Sequence, residues 1–203
     1  MFITFEGPEG GGKTTQIHAL AAYLREQGHD VLTTREPGGT IIGEQIRDVL
    51  MDNANTSMLP TTEILLFVAS RAQIVGQVIR PHLEGGGVVL CDRYRDSTLA
   101  YQGYGHRRNL DELRTLNHIA TGGLKPKLTF LLDLPVEEGL QRRMQDSGFN
   151  RLDAYQLEFH QRVHRGYHEL AALEPARWVT INARQAPDAV QADIRLAIDT
   201  RFD

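Results

Sequence analysis

Apolar residues fall along this chain in two rhythms. Short unbroken runs at 2–5, 31–34, 88–91, 128–134 and 178–181 have the length and continuity of strands buried on both faces. Between them the spacing stretches to that of helices. Ile17, Leu20, Ala21 and Leu24 share one face, as do Ile64, Val68, Ala72, Val75 and Ile79, and later Phe159, Val163, Tyr167 and Leu170. This pattern predicts helices from residue 13 to a stop at Gly28, then over 41–51, 61–82, 109–120, 136–144, 153–170 and 187–200. The stretch opened by Asp92-Arg93-Tyr94 reads as a polar loop, and 145–150 as a loose polar segment. Strands alternating with helices imply an α/β fold, a five-stranded parallel sheet covered by helices on both faces. Ligands of such sheets bind at the carboxyl ends of the strands. Each unusual polar cluster in the chain falls at one of those ends.

Composition narrows the class. At 203 residues the chain is one domain by default and large enough to bury a core without disulfides or structural metal. Hydrophobic residues make up 41% and charged residues 24%, values that exclude a disordered chain. Lys plus Arg is 22 and Asp plus Glu is 26, a net charge of −4, which argues against a nucleic-acid-binding module. No uninterrupted apolar run approaches the ~18–20 residues of a membrane span. The first residues, MFITFEGPEG, lack the basic and apolar regions of a signal peptide. The lone Cys91 lies in an apolar run and reads as a core residue, so a reducing, cytoplasmic setting is expected, with no membrane partner.

Gly7-Pro8-Glu9-Gly10-Gly11-Gly12-Lys13-Thr14 matches G-x-x-x-x-G-K-[ST] at every fixed position, between a predicted strand and a predicted helix. Glycines let the backbone wrap a polyphosphate and aim N–H groups at it, and the helix start adds more such groups. Lys13 suits the β/γ-phosphates and the Thr14 hydroxyl suits Mg²⁺, with Thr15 beside them. The motif therefore implies a nucleoside triphosphate held with Mg²⁺ in a P-loop NTPase-type fold. Motors, switches and kinases share it. No Asn-Lys-x-Asp base-reading motif of a GTPase switch is present, and the third strand ends Cys91-Asp92-Arg93-Tyr94. There Asp92 suits the Mg²⁺ shell and Arg93 a second phosphate.

TFEGPEGGGKTT, TREPGGT, the FVASR segment at 67–71, CDRY and STLAYQGYG follow in the order and spacing of thymidylate kinases, and LTFLLDLP and the RLD segment at 151–153 extend the match. Over essentially the whole chain the sequence resembles that family, a branch of the nucleoside monophosphate kinase-like P-loop fold. The resemblance implies transfer of the γ-phosphate of ATP, as its Mg²⁺ complex, to dTMP, and a homodimer. It places Phe67 against the thymine ring and Arg71 at its O4, with Ser97, Tyr101 and Gln102 lining the nucleoside pocket. The i, i+4 spacing of Phe67 and Arg71 agrees with this. Arg47, on the helix after the loop that includes Glu36 and Pro37, and Arg93 match the phosphate-binding arginines. Arg35 is the weaker candidate, a holder of that loop through Glu36. Glu9 matches an acid near the acceptor's sugar and reacting phosphates.

The resemblance also implies a chemistry without a general base, because the acceptor phosphate has a second pKa of ~6 and is mostly ionised at neutral pH. Some family members carry a P-loop arginine where this chain has Gly10; others use basic residues of a mobile lid. Gly10 puts this chain with the second, bacterial-type group. Its lid is expected at about 141–151, where Arg151, then Arg143, then Arg142 are the candidates for the phosphates. His160, His164 and His168 recur at i, i+4, i+8; with no carboxylate or cysteine at metal-ligand spacing they read as a polar helix face rather than a metal site. Two other readings stay open: another P-loop deoxynucleoside or nucleotide kinase, and a nucleotide-binding regulator without turnover.

Overall fold

The computed structural model describes residues 1–145 and 150–202. Strands β1 (Phe2–Glu6), β2 (Val31–Arg35), β3 (Val88–Asp92), β4 (Leu128–Asp133) and β5 (Trp178–Asn182) form one parallel sheet in the order β2-β3-β1-β4-β5. The expected five-stranded sheet is therefore present, each strand within one or two residues of its apolar run. The middle strand β1 is buried along its whole length. Its Ile3 and Phe5 face helices α1 (Lys13–Glu26) and α9 (Pro187–Phe202), in a core shared with Leu20, Leu24, Val190 and Ile194. Its Thr4 and Glu6 face the other layer, where the Thr4 hydroxyl lies 2.8 Å from that of Thr129 on β4.

That second layer holds α2 (Ile41–Met51), α3 (Pro60–Ile74), α6 (Leu110–Thr121) and α8 (Leu157–Leu173). The Thr40 hydroxyl caps α2 by accepting from Gly43 N, and the Asn109 side chain caps α6 by accepting from Asp111 N and Glu112 N. The helix α7 (Val136–Met144) follows β4 directly.

Three elements differ from the sequence reading. The polar loop after Tyr94 is helical: α5 (Arg95–Thr98) runs into a π-helical turn, Leu99–Gly105, wedged between α6 and α8. Polar and apolar residues alike, from Leu99 to Gln102, are buried there, so no amphipathic stripe marks the helix. The predicted 61–82 helix is a run of α3, a π turn (Val75–Ile79) and α4 (Arg80–Glu84); Pro81 has no N–H to donate, and the ladder widens just before it. This 25-residue run, Pro60–Glu84, is long and apolar enough by composition to cross a bilayer, although no uninterrupted apolar run announced it. Its Ile64, Ile74, Val75 and Ile79 are buried inside the domain. Finally, α8 begins at Leu157 rather than 153, because the Asp153 carboxylate is engaged by Asn150 N and Arg143 in the preceding turn.

Candidate active site

The carboxyl ends of β1, β2 and β3 open into one cleft of about 420 Å³. Its floor is the loop between β1 and α1, and every residue from Glu9 to Thr15 lines it. Gly7 and Gly12 hold positive φ, of 134° and 78°, which turns the chain around the cradle and into α1. Gly10, at φ 69°, packs so closely on α7 that a Cβ there would collide with the carbonyl oxygen of Gly139. The P-loop and the first turn of α7, just before the expected lid, thus touch through two glycines.

Lys13 is buried and curls back over its own loop, donating to Pro8 O at 2.7 Å and Gly7 O at 3.4 Å. Burial and the nearby Arg93 push its pKa down, while Glu9, Asp92 and Glu6 hold it up. The Thr14 hydroxyl donates to Asp92 Oδ2 at 2.8 Å. The two residues chosen from sequence as Mg²⁺ ligands are therefore adjacent, one from the first turn of α1 and one from the end of β3. A hydroxyl and a carboxylate oxygen converging beside a phosphate cradle are the hard oxygen donors that Mg²⁺ prefers.

Directly after Asp92 the chain takes a left-handed turn at Arg93, φ 65°. Arg93 NH2 donates to Glu9 Oε1 at 2.5 Å and to the Tyr101 hydroxyl at 3.1 Å; NH1 donates to Gly7 O at 3.0 Å and the Tyr167 hydroxyl at 3.0 Å. Burial alone would raise the Glu9 carboxyl, but Arg93, Lys13, the Tyr101 hydroxyl and Arg143 outweigh it and bring the pKa down to about 2. Glu9 is thus a fixed anion between two fixed cations. Behind them, Glu6 accepts from Tyr94 N, the Ser97 hydroxyl and the Tyr167 hydroxyl. Burial and Asp96 nevertheless push its pKa up to about 7.

The opposite wall carries Phe67 and Arg71 from α3, Ser97 and Thr98 from α5, Tyr101 and Gln102 from the π turn, and Glu36 and Pro37 from the loop after β2. Phe67 is half-buried at the cleft rather than in the core. Arg71, 1% exposed, donates from Nε to Glu36 Oε2 (2.7 Å), from Nη1 to Thr98 Oγ1 and Asn117 Oδ1, and from Nη2 to Tyr94 O, with Nη2 also in ion-pair contact with Glu36 Oε2 (2.6 Å). Glu36 Oε1 is buried with no partner, an acceptor open to a donor arriving in the cleft. Gln102 donates to Glu63 Oε1 at 2.8 Å. Arg47 lines the cleft and donates to Pro37 O at 3.0 Å. Arg35 pairs with Glu44, at 2.8 Å, and not with Glu36, which Arg71 claims.

The three lid arginines are placed differently with respect to the cleft. Arg142 and Arg143 line the cleft, Arg142 reaching toward Gly10 O and Ala183 O, and Arg143 donating to Asp153 Oδ2 at 3.0 Å. Arg151 is buried elsewhere, donating to Glu63 Oε2 (2.6 Å), the Tyr155 hydroxyl and Leu50 O. An oriented buried carboxylate holds it more firmly than the open cleft does. The centre of the expected lid, residues 146–149, lies outside the described residues.

Sequence reasoning passed over Thr98, Glu63, Asn117, Glu6 and Tyr167, all of which hold the site's side chains in place. Glu63 carried a usable signal, since it stands at i−4 from Phe67 and i−8 from Arg71 on the same helix face. The other four are single polar or aromatic residues whose partners are remote in sequence. The histidine ladder also divides. His160 turns inward and is buried, whereas His164 and His168 both meet Asp133, a carboxylate supplied by the end of β4 that the local sequence did not reveal.

A parallel sheet of this order, with a P-loop under a cleft that has a second, aromatic and arginine-lined wall, defines a P-loop NTPase-type protein of the nucleoside monophosphate kinase kind. Comparison with known proteins narrows this. The family model described as thymidylate kinase matches residues 5–194. Thymidylate kinases of Roseiflexus castenholzii and Thermomicrobium roseum are 51% and 56% identical, over 98% and 93% of this chain and 93% and 90% of theirs. A crystal structure of thymidylate kinase from Ehrlichia chaffeensis superposes with a TM-score of 0.82 at 32% identity, covering 98% of both chains. The chain belongs to the thymidylate kinase family.

Proposed function

We propose that this protein transfers the γ-phosphoryl group of Mg·ATP to dTMP, giving ADP and dTDP. The observation that carries this reading is the two-walled cleft: phosphate-binding machinery on its floor, and Phe67 with Arg71 facing it from α3. ATP enters with its phosphates on the N–H groups of the P-loop, and Lys13 leaves Pro8 O and Gly7 O to meet them. Thr14 and Asp92 would hold the Mg²⁺, which when bound neutralises the β- and γ-phosphate oxygens. The dTMP phosphate lies toward Arg47 and Arg93, with its ring against Phe67. Arg71 reaches O4 by redirecting one N–H now held by Thr98 or Asn117, and Glu36 Oε1 offers an acceptor on the same wall.

The residues then have an electrostatic task. The acceptor dianion needs no base, so the chain must align two anions and stabilise the charge on the group between them. Lys13, Arg93, Arg143 and Arg142 converge on that place; Glu9 keeps Arg93 oriented and prevents the cations from repelling one another apart. Arg151 holds the base of the lid through Glu63.

A coupled assay of ADP release with dTMP, thymidine, dUMP and dCMP tests the reading. Turnover with dTMP far above the other acceptors is expected; turnover with thymidine but not dTMP would move the protein to the nucleoside kinases. ADP release with none of them would make it a regulator.

We infer a homodimer as well, formed through α2 and α3, whose Ile41, Ile42, Val49, Leu59 and Leu65 are exposed. Light scattering of the purified chain checks this, a monomer mass at micromolar concentration being the contrary result. The buried thiol Cys91 and the net charge of −4 fit a cytoplasmic enzyme of small molecules.

A further inference from the structure

We propose that Asp133, His164 and His168 form a binding site for one divalent transition-metal ion of the zinc, cobalt and nickel class, separate from the phosphate cleft. Asp133 ends β4, and the two histidines stand one turn apart on α8. The Nε2 atoms of both rings lie against the same carboxylate oxygen, Asp133 Oδ1, at 2.8 Å for His164 and 3.0 Å for His168. One ligand atom from each residue lies within 4.8 Å of the others, and the ring centroids are 4.6 Å apart. A tetrahedral ion with bonds near 2.0–2.1 Å sets its ligand atoms roughly 3.3 Å apart. Two edges of the triangle are already close to that length. The third closes by rotation of His168, whose side chain is 43% exposed.

The donor chemistry agrees with the geometry. Imidazole nitrogen and carboxylate oxygen suit zinc, cobalt and nickel better than the hard ions Mg²⁺ and Ca²⁺. Two histidines at i, i+4 on one helix chelate an ion from a single face. Both rings must present an Nε2 lone pair, so in the loaded site each neutral ring carries its proton on Nδ1. Asp133 contributes the compensating negative charge. The residues are half-buried to exposed, and Asp133 and His164 border a hollow lined also by Glu137, Gln161 and Arg165, which leaves room for water to complete the coordination shell.

The position gives such an ion a mechanical effect. Asp133 is three residues before the start of α7, which bears Arg142 and Arg143, and α8 follows the lid segment. Joining β4 to α8 therefore fastens both sides of the lid's base at once. A hydrogen-bonded Asp–His–His clamp without metal makes the same connection more weakly, and the experiment separates the two.

Protein stripped with a chelator and kept free of nucleotide is titrated with Co²⁺, followed by its visible absorption, and with Zn²⁺, followed by calorimetry and thermal melting. One equivalent with a Kd of roughly 1–10 μM is expected, together with a rise in Tm at excess Zn²⁺. In His168→Gln and Asp133→Asn the affinity should fall at least ~10-fold and the rise in Tm should vanish. His168→Gln alters an exposed side chain, so its fold is expected to persist, and circular dichroism of the metal-free variant verifies that. Binding weaker than about 1 mM in the unaltered chain overturns the proposal. So does tight binding that the two variants leave undiminished, which would put the ion on other histidines.

Discussion

Arg93 and Arg71 face each other across one cleft, each paired with a carboxylate, and differ in depth. Arg93, its side chain 14% exposed, donates to hydroxyls, a carbonyl and the Glu9 carboxylate on the phosphate side, where ligand oxygens would arrive. Arg71 is 1% exposed and is held by Glu36, Thr98, Asn117 and Tyr94. The phosphate wall keeps its ion pair at the cleft, while the nucleoside wall is built around one that is fully buried. Arg143 and Arg151 repeat the contrast at the lid: Arg143 borders the cleft while paired with Asp153, and Arg151 is buried against Glu63. An arginine's role here follows from what already satisfies it, not from its presence in a motif.

Substitutions can break or sharpen this contrast. The largest effect is expected at Lys13→Ala, a loss of about 10³-fold in kcat with an unchanged melting temperature. A matching loss of stability would show that Lys13 serves the fold instead. Next comes the pair Arg151→Ala and Arg143→Ala. The first leaves Glu63 buried without its cation and should cost about 3–5 kcal/mol in urea unfolding. The second should lower kcat roughly 10²-fold, with a smaller loss of stability than Arg151→Ala because Asp153 keeps its hydrogen bond from Asn150 N. Swapped outcomes would return Arg151 to the phosphates.

The Glu63→Gln variant tests the same network through pH. Burial raises the Glu63 pKa, but hydrogen bonds from His106, Gln102 and Arg151 outweigh it and lower the value to about 2. A folded-state pKa below the ordinary 4.5 stabilises the native protein above pH 4.5, and that stabilisation is lost as pH falls from 4.5 toward 2. Glu63→Gln should therefore be less stable than the parent at pH 7, with the gap narrowing by pH 3.5 in denaturant titrations. The smallest effect is expected at Arg35→Ala. Its exposed pair with Glu44 should contribute under about 1 kcal/mol, and dTMP kinetics should hardly change.

Periodicity placed the strands well because each is buried on both faces and so reads as an unbroken apolar run. It missed the 95–105 helix because burial on all sides erases the stripe by which a helix is recognised. The P-loop spacing and the strand ends together put Thr14 beside Asp92, because β1 and β3 pair in parallel and their carboxyl ends lie side by side. Spacing did not reveal which arginines were already paired. That depended on Glu36, Glu63 and Asp153, acids distant in sequence that only the folded chain brings near. Asp133 reached the histidines of α8 in the same way.

The contact between Gly10 and Gly139 limits how this enzyme can be rebuilt. One volume beside the P-loop serves either a residue-10 side chain or the first turns of α7, never both. Grafting an arginine onto the loop would therefore dislodge the helix that carries Arg142 and Arg143, exchanging one source of positive charge for another instead of adding to it. An engineer seeking to combine the two sources of charge would have to relocate a whole helix.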